Sequence, residues 1–155
     1  MRHSWKIRSA VVAGAAGLIV ALPGVASADV GYATVGSSTS VSASASYQEL
    51  SGAKTVLRTV AEFSNHKSSS VKLTRFRLCF SNTAVSGAWV LPRIEKGGGG
   101  AIAWEASQTT YVKSGSCTSW YTVNKTFSAS PGKFLFVMNT KLGFINALMT
   151  SGFRR

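Results

Sequence analysis

The sequence predicts an all-β chain: a single antiparallel β-sandwich, immunoglobulin-like or jelly-roll, with one disulfide and a cleavable signal peptide ahead of it. Three observations predict this. Short runs of alternating apolar and polar residues recur from residue 29 onward, separated by Gly, Ser, Asn and Pro, which is the pattern of strands and turns. No stretch beyond residue 29 keeps a long helical period. The only cysteines, Cys79 and Cys117, are most simply one bond in an exported chain.

At the N-terminus Arg2, Lys6 and Arg8 precede the apolar run Ala10 to Leu22, then come Pro23-Gly24 and the small residues Ala26-Ser27-Ala28. That is the layout of a secretory signal peptide, with cleavage expected after Ala28. The 13 residues of the run are too few to cross ~30 Å of hydrocarbon as a helix at ~1.5 Å per residue. The expected organisation is therefore a signal peptide over 1–28 and one β domain over 29–155, secreted, extracellular and without a transmembrane anchor.

Along the domain, Val30, Tyr32 and Thr34 suggest a short first strand. Val41, Ala43, Ala45 and Tyr47 alternate with Ser42, Ser44 and Ser46; a Ser/Ala linker would not keep that period, so an edge or lightly covered strand is expected. Lys54 to Phe63 places Leu57, Thr59, Ala61 and Phe63 on one face and Val56, Arg58, Val60 and Glu62 on the other. The polar stretch Asn65 to Ser70 then leads into Val71 to Phe80, the densest alternating run. There Phe76, Leu78 and Phe80 share the apolar face, while Arg75, Arg77 and Cys79 point away from it. The two runs read as a hairpin with a long loop.

Ala88 to Leu91 resumes as a strand that Pro92 is expected to end or bend, since proline offers no N–H to a ladder. Gly97 to Gly100 is followed by Ala101-Ile102-Ala103-Trp104. A phosphate-binding loop would instead open a helix with Lys-Ser or Lys-Thr, so the glycines read as a turn. Thr109 to Lys113 and Thr118 to Val123 suggest a second hairpin around Cys117. Phe134 to Met138 is apolar at every position, as in a strand covered on both faces. Leu142 to Met149 alternates but could turn helically before a basic tail, Phe153-Arg154-Arg155. Eight or nine strands result, with Phe76, Leu78, Phe80, Phe134, Leu135 and Phe136 in or near the core.

The loop between Cys79 and Cys117 has a sequence separation of 38, and closing it removes unfolded-chain entropy worth roughly 4 kcal/mol. Because Cys79 faces away from the aromatic core, the bond should tie an outer face to a loop or neighbouring strand end.

Composition restricts the chemistry. Removing Arg2, Lys6 and Arg8 from 17 basic residues leaves 14 against 5 acidic ones, a formal charge of +9. Such an excess suits anionic polymers, wall or carbohydrate surfaces and acidic proteins, and also serves solubility. One histidine after the leader and two bonded cysteines cannot furnish a metal site, so no metal and no cofactor are expected. A serine triad would need His66, in a polar loop, as its base, the only aspartate is Asp29 at the expected new N-terminus, and there is no nucleophile elbow. The enzyme alternative is a secreted nuclease or toxin using Glu62 and His66 with Arg75 and Arg77 around a phosphate. Its ordinary counterpart is a solvated loop histidine beside cross-strand Glu–Arg pairs. In size and export the chain resembles small secreted bacterial protease inhibitors, which implies a protein partner as a further alternative; it has one disulfide where those carry two, and no inhibitory motif.

Non-catalytic binding of an anionic or carbohydrate component is the expected function. Lys72, Arg75 and Arg77 are the cationic candidates, because arginines two apart on a strand present both guanidinium groups to one side. Trp89, Trp104 and Trp120 are the aromatic candidates, with burial in the core as the competing role of each. The processing reading is checked by intact mass: the secreted protein should begin at Asp29 and gain two hydrogen atoms, from two electrons and two protons, on reduction of its disulfide. A different N-terminus would refute the cleavage site.

Overall fold

The computed structural model describes residues 27–144 and 148–155, which form twelve strands and no helix. The leader read over 1–28 lies outside them except for Ser27 and Ala28. Sheet A comprises β1 (Ser27–Asp29), β3 (Ser40–Gln48), β4 (Lys54–Ser64), β5 (Ser70–Asn82), β9 (Ser116–Cys117) and β10 (Tyr121–Ser128). Their order is β1-β3-β4-β5-β10, with β9 also on β5. Sheet B comprises β2 (Gly31–Thr34), β6 (Gly87–Lys96), β7 (Ile102–Glu105), β8 (Thr110–Lys113), β11 (Phe134–Leu142) and β12 (Leu148–Arg154). Their order is β2-β12-β11-β6-β7, with β8 also on β6. The pairings are antiparallel apart from β2 with β12, which is parallel.

The inner faces of both sheets meet in one core, giving a β-sandwich-like all-β fold. Phe63 of β4 and Phe127 of β10 reach Phe136 of β11, at ring-centroid distances of 6.2 and 4.7 Å. Phe136 in turn stacks on Phe153 of β12 at 4.9 Å. Each such burial contributes about 1.5–3 kcal/mol, so this aromatic cluster joins the sheets more strongly than any single polar contact.

Period two alone does not describe β5. Val71 and Leu73 are buried, and so are Phe76, Leu78 and Phe80, although the two sets have opposite parity. The register against β4 explains it: Glu62 pairs with Arg75 and Phe63 with Leu73, leaving Thr74 as an extra residue. This β-bulge switches which parity faces inward. The Thr74 hydroxyl donates to the Glu62 carbonyl at 2.8 Å, satisfying an acceptor beside the irregularity. On the partner strand β10 the register also shifts, between Thr122 and Lys125, with Asn124 at φ 52°.

Four expectations change. Pro92 does not end its strand, because β6 runs through it, paired to Thr140 of β11. Its carbonyl accepts from Ala106 N at 3.1 Å, on the side where β7 stops at Glu105 and β8 has not begun. A residue's N and O point to the same side of a strand, so the missing N–H falls at the gap between two partners. Secondly, the hairpin expected around Cys117 does not form: β8 pairs with β6 in sheet B, whereas β9 and β10 pair with β5 in sheet A. The chain changes sheets there, and the Cys79–Cys117 bond fixes the crossing.

Thirdly, the Phe153-Arg154-Arg155 tail is structural. Phe153 is buried in β12 between β11 and β2, and Arg155 donates to the carbonyls of Gly36, Lys67 and Ser68. The helical option for the preceding stretch gives way to strand from Leu148; residues 145–147 lie outside the described ones. Fourthly, Phe134 leaves the core. A register shift between Phe134 and Phe136 turns it outward beside Tyr32, at 5.5 Å.

The Ser/Ala stretch is β3, with Ala43 and Ala45 buried and Ser42 and Ser44 exposed. Small residues suit it because the β1–β2 segment passes closely: a Cβ on Gly31 would stand 1.6 Å from the Ser44 carbonyl oxygen. Only glycine fits there without moving backbone.

Deleting Thr74 should force either Val71 and Leu73 or the Phe76 set out of the core, since a one-residue slip exchanges the faces of a strand. The expected outcome is loss of cooperative urea unfolding and of near-UV circular dichroism. A deletion variant with a native transition would show that the bulge is dispensable.

Candidate functional site

The bulge gathers Lys72, Arg75, Arg77 and Cys79 onto the outer face of sheet A, beside Arg58 and Glu62 of β4. Trp120 precedes β10 and reaches the same face. Its ring lies 4.5 Å from the Arg75 Cζ and 4.7 Å from the Arg77 Cζ, so one indole carries two guanidinium groups by cation–π attraction. The two arginines differ in their other partners.

Arg75 is held by Glu62 through two hydrogen bonds, Nε to Oε2 at 2.6 Å and Nη2 to Oε1 at 3.2 Å. That hydrogen bonding, with the attraction of the carboxylate, raises the Arg75 pKa against the opposing effect of desolvation. Arg77 has no carboxylate partner among the described residues. Its Nε is buried and unpaired, while the residue as a whole is half-buried. A full positive charge is thus fixed over an aromatic face, next to a neutralised one.

The other candidates separate. Trp104 faces inward from β7, meeting Phe76 edge-on at 5.3 Å and Tyr121 at 5.7 Å; it caps the core. Trp89 sits on the outer face of sheet B, 54% exposed, so it belongs to neither the core nor the arginine cluster. His66 lies in the β4–β5 connection, where its Nδ1 is 3.0 Å from the Gly36 carbonyl and therefore donates to it. It lines a cavity of about 220 Å³ with Asn65, Lys67, Ser70 and Thr126. None of Glu62, Arg75 and Arg77 lines that cavity. Glu62 and Arg75 come together as a cross-strand pair, and His66 stands apart from them.

Among the described residues no group of three or more His, Cys, Asp or Glu side chains could hold a metal ion. No helix among them is long and apolar enough to cross a membrane. The disulfide, tying β5 to β9 on this outer face, is compatible with an extracellular setting.

Trp120 was among the aromatic candidates, but its place under both arginines escaped sequence reasoning, because residues 75 and 120 are brought together by pairing between distant parts of the chain. The one available signal was the nearby Cys117, whose bond to Cys79 brings residues 118–121 alongside β5. No protein-family model, no curated protein and no solved structure matches this chain.

The Arg77 stack on Trp120 should contribute about 0.5–1 kcal/mol. Trp120→Ala is therefore expected to lower the urea midpoint modestly and to leave the far-UV circular dichroism unchanged. A variant as stable as the parent would mean that the indole does not hold the guanidinium in solution.

Proposed function

We propose that the chain is an exported, non-catalytic binding module, a β-sandwich of the immunoglobulin-like or jelly-roll kind, that holds an anionic polymer on the outer face of sheet A. The observation that carries this reading is Arg77, charged, without a carboxylate partner among the described residues and held over Trp120. A side chain already fixed loses little freedom on binding, which favours affinity. Guanidinium suits phosphate, sulfate or carboxylate by paired hydrogen bonds, and Lys72 and Arg58 extend positive charge along the same face. The charge of +9 left after removal of the leader supports attraction at longer range. An exported location, with an acidic wall or surface polymer as partner, agrees with the leader and the disulfide. The nuclease alternative draws less support: its carboxylate is occupied by Arg75 and its histidine lies elsewhere.

Retention on immobilised heparin and on polyphosphate, eluted with a salt gradient, tests the proposal. Binding through charge should weaken steeply between ~0.05 and ~0.5 M salt as screening grows. Arg77→Ala should elute at clearly lower salt than the parent, whereas Glu62→Gln, which frees Arg75, should elute later. Unchanged elution of Arg77→Ala would remove this face as the site. Degradation of RNA by the parent, lost in His66→Ala, would replace binding by nuclease activity.

A further inference from the structure

The outer face of sheet B carries a second feature, independent of the arginine cluster. Trp89 of β6 and Tyr111 of β8 are register partners, 54% and 44% exposed. Their ring centroids are 5.4 Å apart and their planes meet at 64°. Exposing both rings leaves apolar surface in water, yet each is set in place by a neighbouring glycine. Gly87, two residues before Trp89 on the same face, has no side chain where the Tyr111 ring lies: a Cβ there would stand 2.5 Å from the Tyr111 hydroxyl oxygen. On the other flank, a Cβ on Gly143 would come within 3.3 Å of the Trp89 Cβ, and Gly143 N donates to the Trp89 carbonyl at 2.9 Å. The two rings form an open corner.

We propose that this corner is a saccharide-binding site that takes a neutral oligosaccharide chain, one pyranose stacking its C–H face on Trp89 while its edge meets Tyr111. An aromatic face carries negative quadrupole charge that attracts C–H groups, and the phenol hydroxyl supplies a polar handle for a sugar hydroxyl. Rings inclined at 64° suit a chain whose successive units turn, and not a flat crystalline surface, which would require coplanar rings.

Charge and area decide against other occupants. Lys113 follows Tyr111 on the same face of β8, and Lys141 pairs with Leu91 beside Trp89, while Glu95 and Glu105 lie toward the other end of β6 with Arg93. A second copy docked symmetrically would bring lysines to lysines. Two rings and the flanking Leu91 and Leu148 also fall short of the ~800 Å² per partner of a stable protein interface. The Tyr111 ring, lying across Gly87, does not project as a membrane-inserting residue would.

Titration of the full-length secreted protein with cellohexaose and with chitohexaose, followed by tryptophan fluorescence and by calorimetry, tests this site. Saturable binding to at least one is expected, little changed between ~0.05 and ~0.5 M salt because no ion pair is involved. Trp89→Ala should weaken it at least tenfold and Tyr111→Ala severalfold, while Arg77→Ala leaves it intact. That last variant separates this site from the anion-binding face, whose failure would not affect it. Absence of binding to both oligosaccharides would overturn the proposal, as would binding that survives Trp89→Ala. Concentration-dependent self-association abolished by Trp89→Ala would overturn it in favour of a contact between copies.

Discussion

The extra residue at Thr74 is the constraint on which both the core and the charged face depend. Strand β5 lies inside sheet A, paired on one side with β4 and on the other with β10 and β9. It must bury five large apolar residues, Val71, Leu73, Phe76, Leu78 and Phe80, that no strict alternation can place on one side. Without the bulge, either the first two or the last three would face water, at about 1.5–3 kcal/mol for each large side chain. The same irregularity turns Lys72, Arg75 and Arg77 to one surface. Core packing and the gathering of cations are therefore two results of a single backbone event, and neither can be changed without the other.

Closure of the two sheets rests on segments that cross between them. The first strands do this at one edge: β1 pairs with β3 in sheet A and β2, one residue later, with β12 in sheet B. At the opposite edge Lys125 of β10 donates to the Ala103 carbonyl of β7, bridging the sheets with a side chain. Arg155 closes a third position, where one guanidinium serves carbonyls from the β2–β3 turn and the β4–β5 connection. These contacts are exposed, so what Arg155 contributes is a link, one guanidinium joining two loops at once. The terminus that reads as a basic tail is a tie between loops for that reason.

Much of the fold was legible because local pattern decides it. The inward faces of β4 and the second half of β5, the outward parity of Cys79 and the turn at Gly97–Gly100 follow from period two and from backbone chemistry within a few residues. What escaped depends on distant partners. Pro92 is tolerated because β7 and β8 leave a gap opposite its nitrogen, a fact held in residues 102–113. Phe134 faces outward through a shift against β12, and Phe153 is buried only because β2 and β11 flank it. The hairpin around Cys117 failed for a similar cause, since two adjacent β-prone runs can pair with each other or each with a separate sheet. The candidate site was legible in part: the parity of Arg75 and Arg77 follows from the sequence, but their shared indole and the unequal fate of their charges do not.

That inequality bears on what the charged face can do. A general base needs a carboxylate whose lone pairs are free and whose proton affinity lies near the working pH. Glu62 has both oxygens committed to Arg75, and His66 directs Nδ1 at a backbone carbonyl, which makes that nitrogen the donor of its ring. Chemistry on a bound polyanion would require breaking both arrangements, whereas recognition requires neither. Pairing Glu62 with Arg75 also lowers the local charge density, so two adjacent bare guanidinium groups do not repel each other over the same ring. Arg77 can then remain stacked on Trp120 in the free protein, and in the proposed binding mode an arriving anion would meet a donor that is already in position.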